Sequence, residues 1–168
     1  MRSSQQGTAR VRYGSIAHFA AHYIPDERSP MLSVLPLAGE GKSAAKGNDG
    51  VLQTFEFYNM NLSRLRLVVL SGCQTGIERY YNGEGAIGLA RAFQMAGIPL
   101  VVASLWPVES YPTKELMIAF HKHRKTGGLS TAQALRQAQI DLLKSGSTEL
   151  RNPYNWAAYT VIGGHAAF

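Results

Sequence analysis

The sequence predicts an α/β fold, a mainly parallel β-sheet flanked by helices. Short apolar runs alternate along the chain with segments whose apolar residues recur at helical spacing, as in strands joined by helices. Two of the apolar runs end in small or polar residues, as strands do at the edge of a sheet where ligands bind. A length of 168 residues is typical of one domain, so we expect residues 1–168 to form a single domain.

Four apolar runs are predicted to be strands because each is short and is followed by a break in the apolar pattern. They are residues 16–21, 65–71, 100–106 and 156–162. Two further segments have an extended or mixed pattern: residues 31–37 are predicted to be extended, and residues 51–59 fit either a strand or a short helix. Residues 39–50 and 76–82 are predicted to be loops, the first because it is rich in Gly and Ser.

Three segments are predicted to be helices. Residues 84–96 have apolar side chains at helical spacing and end before Gly97, which suits a helix C-terminus. Residues 113–125 form the second helix, ended by two glycines at 127–128. Ser130 is a suitable N-cap for the third helix, which we expect to run to about Lys144.

A thiol and an imidazole are predicted to meet at one edge of this sheet. Cys73, the one cysteine of the chain, follows the predicted strand 65–71, and His22 follows the strand 16–21. Neighbouring strands are about 4.8 Å apart, so groups at the ends of parallel neighbours lie close together. A nucleophilic thiol beside an imidazole is the chemistry of cysteine hydrolases.

Three other motifs have simpler explanations. Residues 83–88 match the glycine pattern of a dinucleotide site but do not follow a strand directly, so we interpret them as a closely packed helix start. Residues 41–43 resemble the end of a P-loop but lack its first glycine. His18 is four residues before His22, a spacing that on a helix can bind metal, but in a strand His18 is better explained as a hydrogen-bonded, partly buried residue.

The composition limits the classes of partner. Lys and Arg number 17 against 11 Asp and Glu, a net charge of +6, yet the charges are scattered and nucleic acid is not an expected partner. The densest basic stretch, residues 121–125, is interpreted as the solvated end of a helix. One cysteine and no apolar run long enough for a membrane span favour a reducing, cytoplasmic location. We expect no metal and no cofactor.

Five segments, in this order and spacing, resemble the CHAT domain, a bacterial-type branch of the caspase-like (clan CD) cysteine peptidases that is often fused to tetratricopeptide (TPR) repeats. The resemblance spans about residues 13–164. The segments are HFAAH at 18–22, LSGCQTG at 70–76, GEGAIGLARAF at 83–93, SLWPV at 104–108 and WAAY at 156–159.

The resemblance implies a cysteine endopeptidase that forms an acyl-enzyme. The family pattern makes His22 the catalytic histidine and Cys73 the nucleophile, with the backbone N–H groups of Tyr23 and Cys73 as the oxyanion hole. It also implies protein or peptide substrates and a TPR-containing or self-association partner. Trp106 and Glu109 follow the next strand at the same edge and are candidates for the substrate pocket, where a Glu would favour basic residues; Trp106 is also a good core residue.

The chain departs from the family pattern at three points, and these support an alternative function. Tyr23 stands where the family has a glycine, and Gln74 replaces an acidic residue. Family domains begin with two strands before the histidine strand, and the residues before Ile16 are too few to supply them. We therefore expect an incomplete, C-terminal part of the domain, in which the histidine strand is a sheet edge. The alternative function is an inactive caspase-like module that binds a partner protein.

Overall fold

The computed structural model describes residues 16–26, 28–37, 50–72, 79–81 and 85–164. Eight strands lie in these ranges: β1 (Ile16–Phe19), β2 (Val34–Pro36), β3 (Val51–Gln53), β4 (Leu67–Leu70), β5 (Arg79–Tyr81), β6 (Gly85–Ile87), β7 (Leu100–Ser104) and β8 (Tyr159–Gly163). Six α-helices accompany them: α1 (Thr54–Tyr58), α2 (Leu89–Met95), α3 (Ser110–Gly127), α4 (Thr131–Leu143), α5 (Thr148–Arg151) and α6 (Pro153–Trp156). A 3₁₀ turn, Pro30–Leu32, precedes β2. None of the helices in the described ranges is long and apolar enough to cross a bilayer.

The described part of the central sheet has four strands in the order β1-β4-β7-β8. β1, β4 and β7 are parallel, whereas β8 pairs with β7 in the antiparallel direction. The mainly parallel sheet flanked by helices that the sequence predicts is therefore confirmed. β1 is the end strand, and no described residue pairs with its outer edge.

Helices cover both faces of this sheet, and the two inner strands are therefore buried on both sides. β4 and β7 consist entirely of buried residues, the near-continuous apolar run typical of interior parallel strands. Val69 and Val102 face the core under α3 and α4, while the alternate residues Val68 and Val101 face the core under α1 and α2. Burying a side chain of this size contributes roughly 1.5–3 kcal/mol.

One part of the predicted secondary structure is wrong. Residues 79–81, predicted to be loop, form β5, which pairs with β6 in a separate antiparallel hairpin. The helix predicted from residue 84 accordingly begins only at Leu89, with Gly88 as its N-cap. Tyrosine is common in strands, as at Tyr80 and Tyr81, but the polar residues around this pair led to the loop prediction. Residues 76–78 and 82–84 lie outside the described ranges.

The C-terminal third follows the prediction more closely. Ser130 caps α4 through a capping box with Gln133, as predicted. α3 starts at Ser110, three residues before its predicted start, because a proline is tolerated in the first turn of a helix. The last strand starts three residues late, because Pro153 begins the short helix α6 at that point.

The two segments with extended or mixed patterns contain strands and a short helix, and one predicted loop lies almost entirely outside the described residues. Residues 51–59 contain both of the predicted alternatives, β3 followed by α1. The extended segment 31–37 contributes β2, which pairs with β3. Nearly all of the predicted loop 39–50 lies outside the described residues, apart from Gly50.

We predict that Gly163→Ala destabilises the domain by about 1 kcal/mol or more, measured by urea unfolding. Gly163 has a φ of +113°, and an added Cβ would collide with the carbonyl oxygen of Pro99. The matched control is Gly164→Ala, since a Cβ at Gly164 meets nothing within 4 Å. Equal free energies of unfolding for the two variants would contradict this explanation.

Candidate active site

A cleft of about 740 Å³ lies at the carboxyl ends of β1 and β4. One wall is formed by residues just beyond these two strands, including His22 and Gly72, and the opposite wall by the first half of α3. Open parallel sheets bind ligands at this edge, so the cleft lies where the sequence predicts the functional site.

His22 lines the cleft and is exposed to it. The chain around it is held by an antiparallel bridge in which Ile24 and Val34 exchange two backbone hydrogen bonds of 2.9 and 3.0 Å. Tyr23, partly buried, packs against the core under α1 and α2, so its side chain is used in packing. No hydrogen bond joins the His22 imidazole to another described residue. An acidic residue that orients this ring is therefore not found in the described part of the site.

Cys73 lies outside the described residues, which stop at Gly72 on this side of the cleft. The two residues before it are well fixed. The N–H of Ser71 donates to the carbonyl of Phe19 at 2.9 Å, which extends the pairing of β1 with β4. The carbonyl of Gly72 accepts a hydrogen bond from the buried hydroxyl of Ser104 on β7. The backbone that leads into Cys73 is thus attached to both neighbouring strands.

A hydrogen-bond chain of two histidines and a serine crosses the cleft. Nε2 of His18 is 2.8 Å from Oγ of Ser71, and Nδ1 of His18 is 3.1 Å from Nε2 of His121 on α3. The Ser71 hydroxyl is also 3.3 Å from the carbonyl oxygen of Phe19, where it donates. His18 is hydrogen-bonded, as the sequence predicts, but the residue is exposed at the cleft and not partly buried as expected. It lies in the same cleft as His22.

The hydrogen bond between His18 Nδ1 and His121 Nε2 holds one proton, so at least one of the two imidazoles is neutral. The protein around the His18 ring partly desolvates it and lowers its pKa, and the nearby His121 lowers it further. Burial also lowers the pKa of His121, with an added contribution from the charge of Arg124. In neutral His18, Nδ1 accepts from His121 and Nε2 donates to Ser71, which satisfies both ring nitrogens.

Of the two candidate pocket residues, only Glu109 is among the described lining. It is exposed at the start of α3, close in sequence to Lys114, which also lines the cleft and pairs with Glu115 at 3.7 Å. The apolar part of the lining includes Met117 and Ile118.

Trp106 lies outside this lining. Its Nε1 donates to the carbonyl of Tyr154 at 2.9 Å, and its ring packs against the core, a position that the sequence also predicts. Within the described ranges, no group of three or more His, Cys, Asp and Glu side chains is arranged to hold a metal ion.

His121 is a residue of the cleft that was not predicted, because residues 121–125 were interpreted as a solvated basic helix end. His121 follows the buried Met117 by four residues, so both lie on the face of α3 that meets the cleft. His123 lies on another face and contacts Asp141 on α4 at 2.6 Å. The sequence contains a signal that distinguishes the two histidines: His121 is four residues after the apolar Met117 and so shares its helix face, whereas His123 does not.

Comparison with known families identifies the domain. The family model for the CHAT domain matches residues 6–164. The chain belongs to the CHAT domain family. This match agrees with the resemblance that the sequence motifs carry, and the catalytic residues of this CHAT domain stay a prediction.

Curated relatives of the CHAT domain include tetratricopeptide repeat protein 28 of Mus musculus and of Homo sapiens. The mouse protein is 34% identical over 113 residues, which are 67% of this chain and 4% of the relative. The human protein is 35% identical over 99 residues, which are 59% of this chain and 4% of the relative. The chain therefore spans only a small part of the length of these TPR proteins.

Solved structures show the same fold. A chain in the Saccharomyces cerevisiae separase–securin complex at 3.0 Å matches with a TM-score of 0.50 and 23% identity, over 66% of this chain and 7% of that one. A second structure of the complex at 2.6 Å matches with a TM-score of 0.50 and 21% identity, over the same shares of the two chains. The caspase-like fold expected of the CHAT domain is confirmed.

We predict that the CHAT domain loses stability as the pH falls from 7.5 to 5.5. The pKa values of His18 and His121 are lowered in the folded state, so below about pH 6.5 the unfolded chain binds more protons than the folded one. Stability therefore rises with pH across this window, and His121→Gln should make the dependence shallower. The measurement is the free energy of unfolding in urea at several pH values.

The control for this prediction is Lys125→Gln, which changes an exposed side chain on the same helix and leaves every imidazole in place. We expect that variant to keep the pH dependence of the wild type. A His121→Gln variant whose stability changes with pH as steeply as the wild type would contradict the prediction.

Proposed function

We propose that this CHAT domain is a cysteine-type endopeptidase in which Cys73 is the nucleophile and His22 the general acid–base. The pairing of β1 with β4 carries this proposal. The two strands are parallel neighbours, and Phe19 is the register partner of Leu70. His22 follows Phe19 by three residues and Cys73 follows Leu70 by three, so we expect both groups at one edge of the sheet.

The proposed reaction proceeds in two steps through a covalent intermediate. The Cys73 thiol transfers its proton to His22, and the sulfur attacks the carbonyl carbon of the scissile peptide bond. The tetrahedral oxyanion collapses, the C–N bond breaks, and the leaving amine takes the proton from His22. Water, deprotonated by His22, then hydrolyses the thioester, which releases the acid and restores the thiol.

The oxyanion hole consists, in this proposal, of the backbone N–H groups of Tyr23 and Cys73, as the family resemblance implies. A donor of this kind contributes about 3–4 kcal/mol of transition-state stabilisation. The bridge between Ile24 and Val34 supports the role of Tyr23, because it fixes the backbone immediately after that residue.

The substrate is proposed to be a protein or peptide with a long basic side chain near the scissile bond. Glu109 supplies a negative charge at the cleft, and Met117 and Ile118 supply apolar surface that suits the aliphatic stem of Lys or Arg. A TPR-containing or self-association partner also stays part of the proposal, since the named relatives are tetratricopeptide repeat proteins.

A second candidate function is an inactive caspase-like module that binds a partner protein. Two observations favour it: Tyr23 replaces the glycine of the family pattern, and His22 has no hydrogen bond to a described residue. In this case His22 has no chemical role, and its replacement leaves both the reactivity of Cys73 and partner binding unchanged.

The two candidates differ in the reactivity of Cys73. We predict that alkylation of Cys73 by iodoacetamide has an apparent pKa well below the free-thiol value of about 8.5, because a neighbouring imidazolium stabilises the thiolate. His22→Ala should restore a normal thiol and slow alkylation at pH 7 about tenfold. The measurement is the alkylation rate against pH, followed by mass spectrometry.

The control is His123→Ala, which removes an imidazole bound to Asp141 outside the cleft. It should keep the profile of the wild type. An ordinary thiol profile in the wild type, unchanged in His22→Ala, would argue against the peptidase and favour the interaction module.

We also predict that Glu109→Gln lowers the cleavage rate of substrates with Lys or Arg before the scissile bond by up to about fivefold, and leaves uncharged substrates unaffected. This is the range expected for an exposed ion pair. The control is Glu149→Gln, an exposed carboxylate on α5 that is not part of the cleft lining. Equal losses for basic and uncharged peptides would contradict a charge-reading role for Glu109.

A further inference from the structure

We propose that His121 is a positioning residue for Cys73, acting from α3 through His18 and Ser71; this rests on the peptidase function proposed above. His121 does not touch the reacting atoms in this account. It holds the backbone from which the nucleophile projects.

The geometry carries the proposal in three consecutive hydrogen bonds. His121 Nε2 donates to His18 Nδ1 at 3.1 Å, His18 Nε2 donates to Ser71 Oγ at 2.8 Å, and Ser71 Oγ donates to the Phe19 carbonyl at 3.3 Å. With both imidazoles neutral, only one direction of donation serves all three bonds, because the Phe19 carbonyl at the end can only accept. This series of hydrogen bonds therefore fixes one tautomer of each imidazole.

Each link of this chain joins a different part of the fold. His121 belongs to α3, His18 to β1, and Ser71 is the first residue after β4, two positions before Cys73. Gly72 is held separately by Ser104 of β7. The cleft wall on α3 is thereby coupled to the end of β4, two residues before Cys73 along the sequence. In this proposal the coupling holds the thiol in one position relative to the bound substrate.

Ring packing limits the freedom of the two imidazoles. The ring centroids of His18 and His121 are 5.2 Å apart, and those of His121 and Phe120 are 5.0 Å apart. Phe120 is fully buried, so His121 rests on a fixed part of the core. The orientation of His121 therefore follows from packing, and His18 can be held in place by it.

The test compares three variants on α3 by the rate of Cys73 alkylation against pH. His121→Leu removes the donor and keeps apolar volume. His121→Gln retains an amide N–H that can donate to His18, so it is the conservative rescue. His123→Leu is the matched control, because that side chain is two residues away on the same helix and contacts Asp141 instead.

We expect His121→Leu to slow alkylation at pH 7 about three- to tenfold, the range of one lost hydrogen bond, and to shift the apparent pKa of the reaction towards that of a free thiol. His121→Gln should recover most of the rate, and His123→Leu should match the wild type. A merely structural effect would lower stability without moving this pH profile, so urea unfolding is measured for every variant.

Ser71→Ala provides a second test with a very small structural change. It removes the last link of the chain, so its effect on alkylation should not add to that of His121→Leu in the double variant. Full additivity, or a His121→Leu profile equal to that of the wild type, would overturn the positioning role while leaving the peptidase proposal intact. An ordinary thiol profile already in the wild type would instead overturn the proposed function, and the positioning role with it.

Discussion

The parallel pairing of β1 with β4 is the constraint on which the rest of the site depends. Its register aligns Phe19 with Leu70, so the segments that follow the two strands leave the sheet side by side. The pairing continues past the strands, since Ser71 donates its N–H to Phe19. β4 is in turn held by complete burial between two helical layers. A core made of ordinary aliphatic side chains thus determines where the segment that contains His22 and the segment that leads towards Cys73 leave the sheet.

The sequence was sufficient for the parts of the fold that rest on local patterns. The buried runs of β4 and β7 and the Ser130 cap of α4 are visible as apolar runs and as a capping signal. The β5–β6 hairpin was missed because its strands are short and carry mixed polar and aromatic residues. Their strand conformation depends on the pairing of one strand with the other more than on the local sequence. The antiparallel direction of β8 was not predicted either, because it depends on how the chain returns to the sheet and not on the residues of the strand itself.

Some residues of the candidate site could likewise be predicted from local sequence, and one could not. His22 and Cys73 were predicted because each follows an apolar strand, and the family resemblance names the same pair. His121 was not predicted, because its contact with His18 spans 103 residues of sequence and depends on how α3 crosses the sheet edge. Once α3 is in place, the roles of its two neighbouring histidines separate: His121 enters the cleft, whereas His123 connects α3 to α4. Long-range contacts of this kind give the cleft its pair of hydrogen-bonded imidazoles.

The central claim is that this CHAT domain hydrolyses peptide bonds with Cys73 and His22. The most direct test is to digest a proteome-derived peptide library with the wild type, Cys73→Ala and His22→Ala, and to identify new peptide termini by mass spectrometry. We expect a set of termini that the wild type generates and that both variants fail to generate. Identical digests from all three proteins would contradict it.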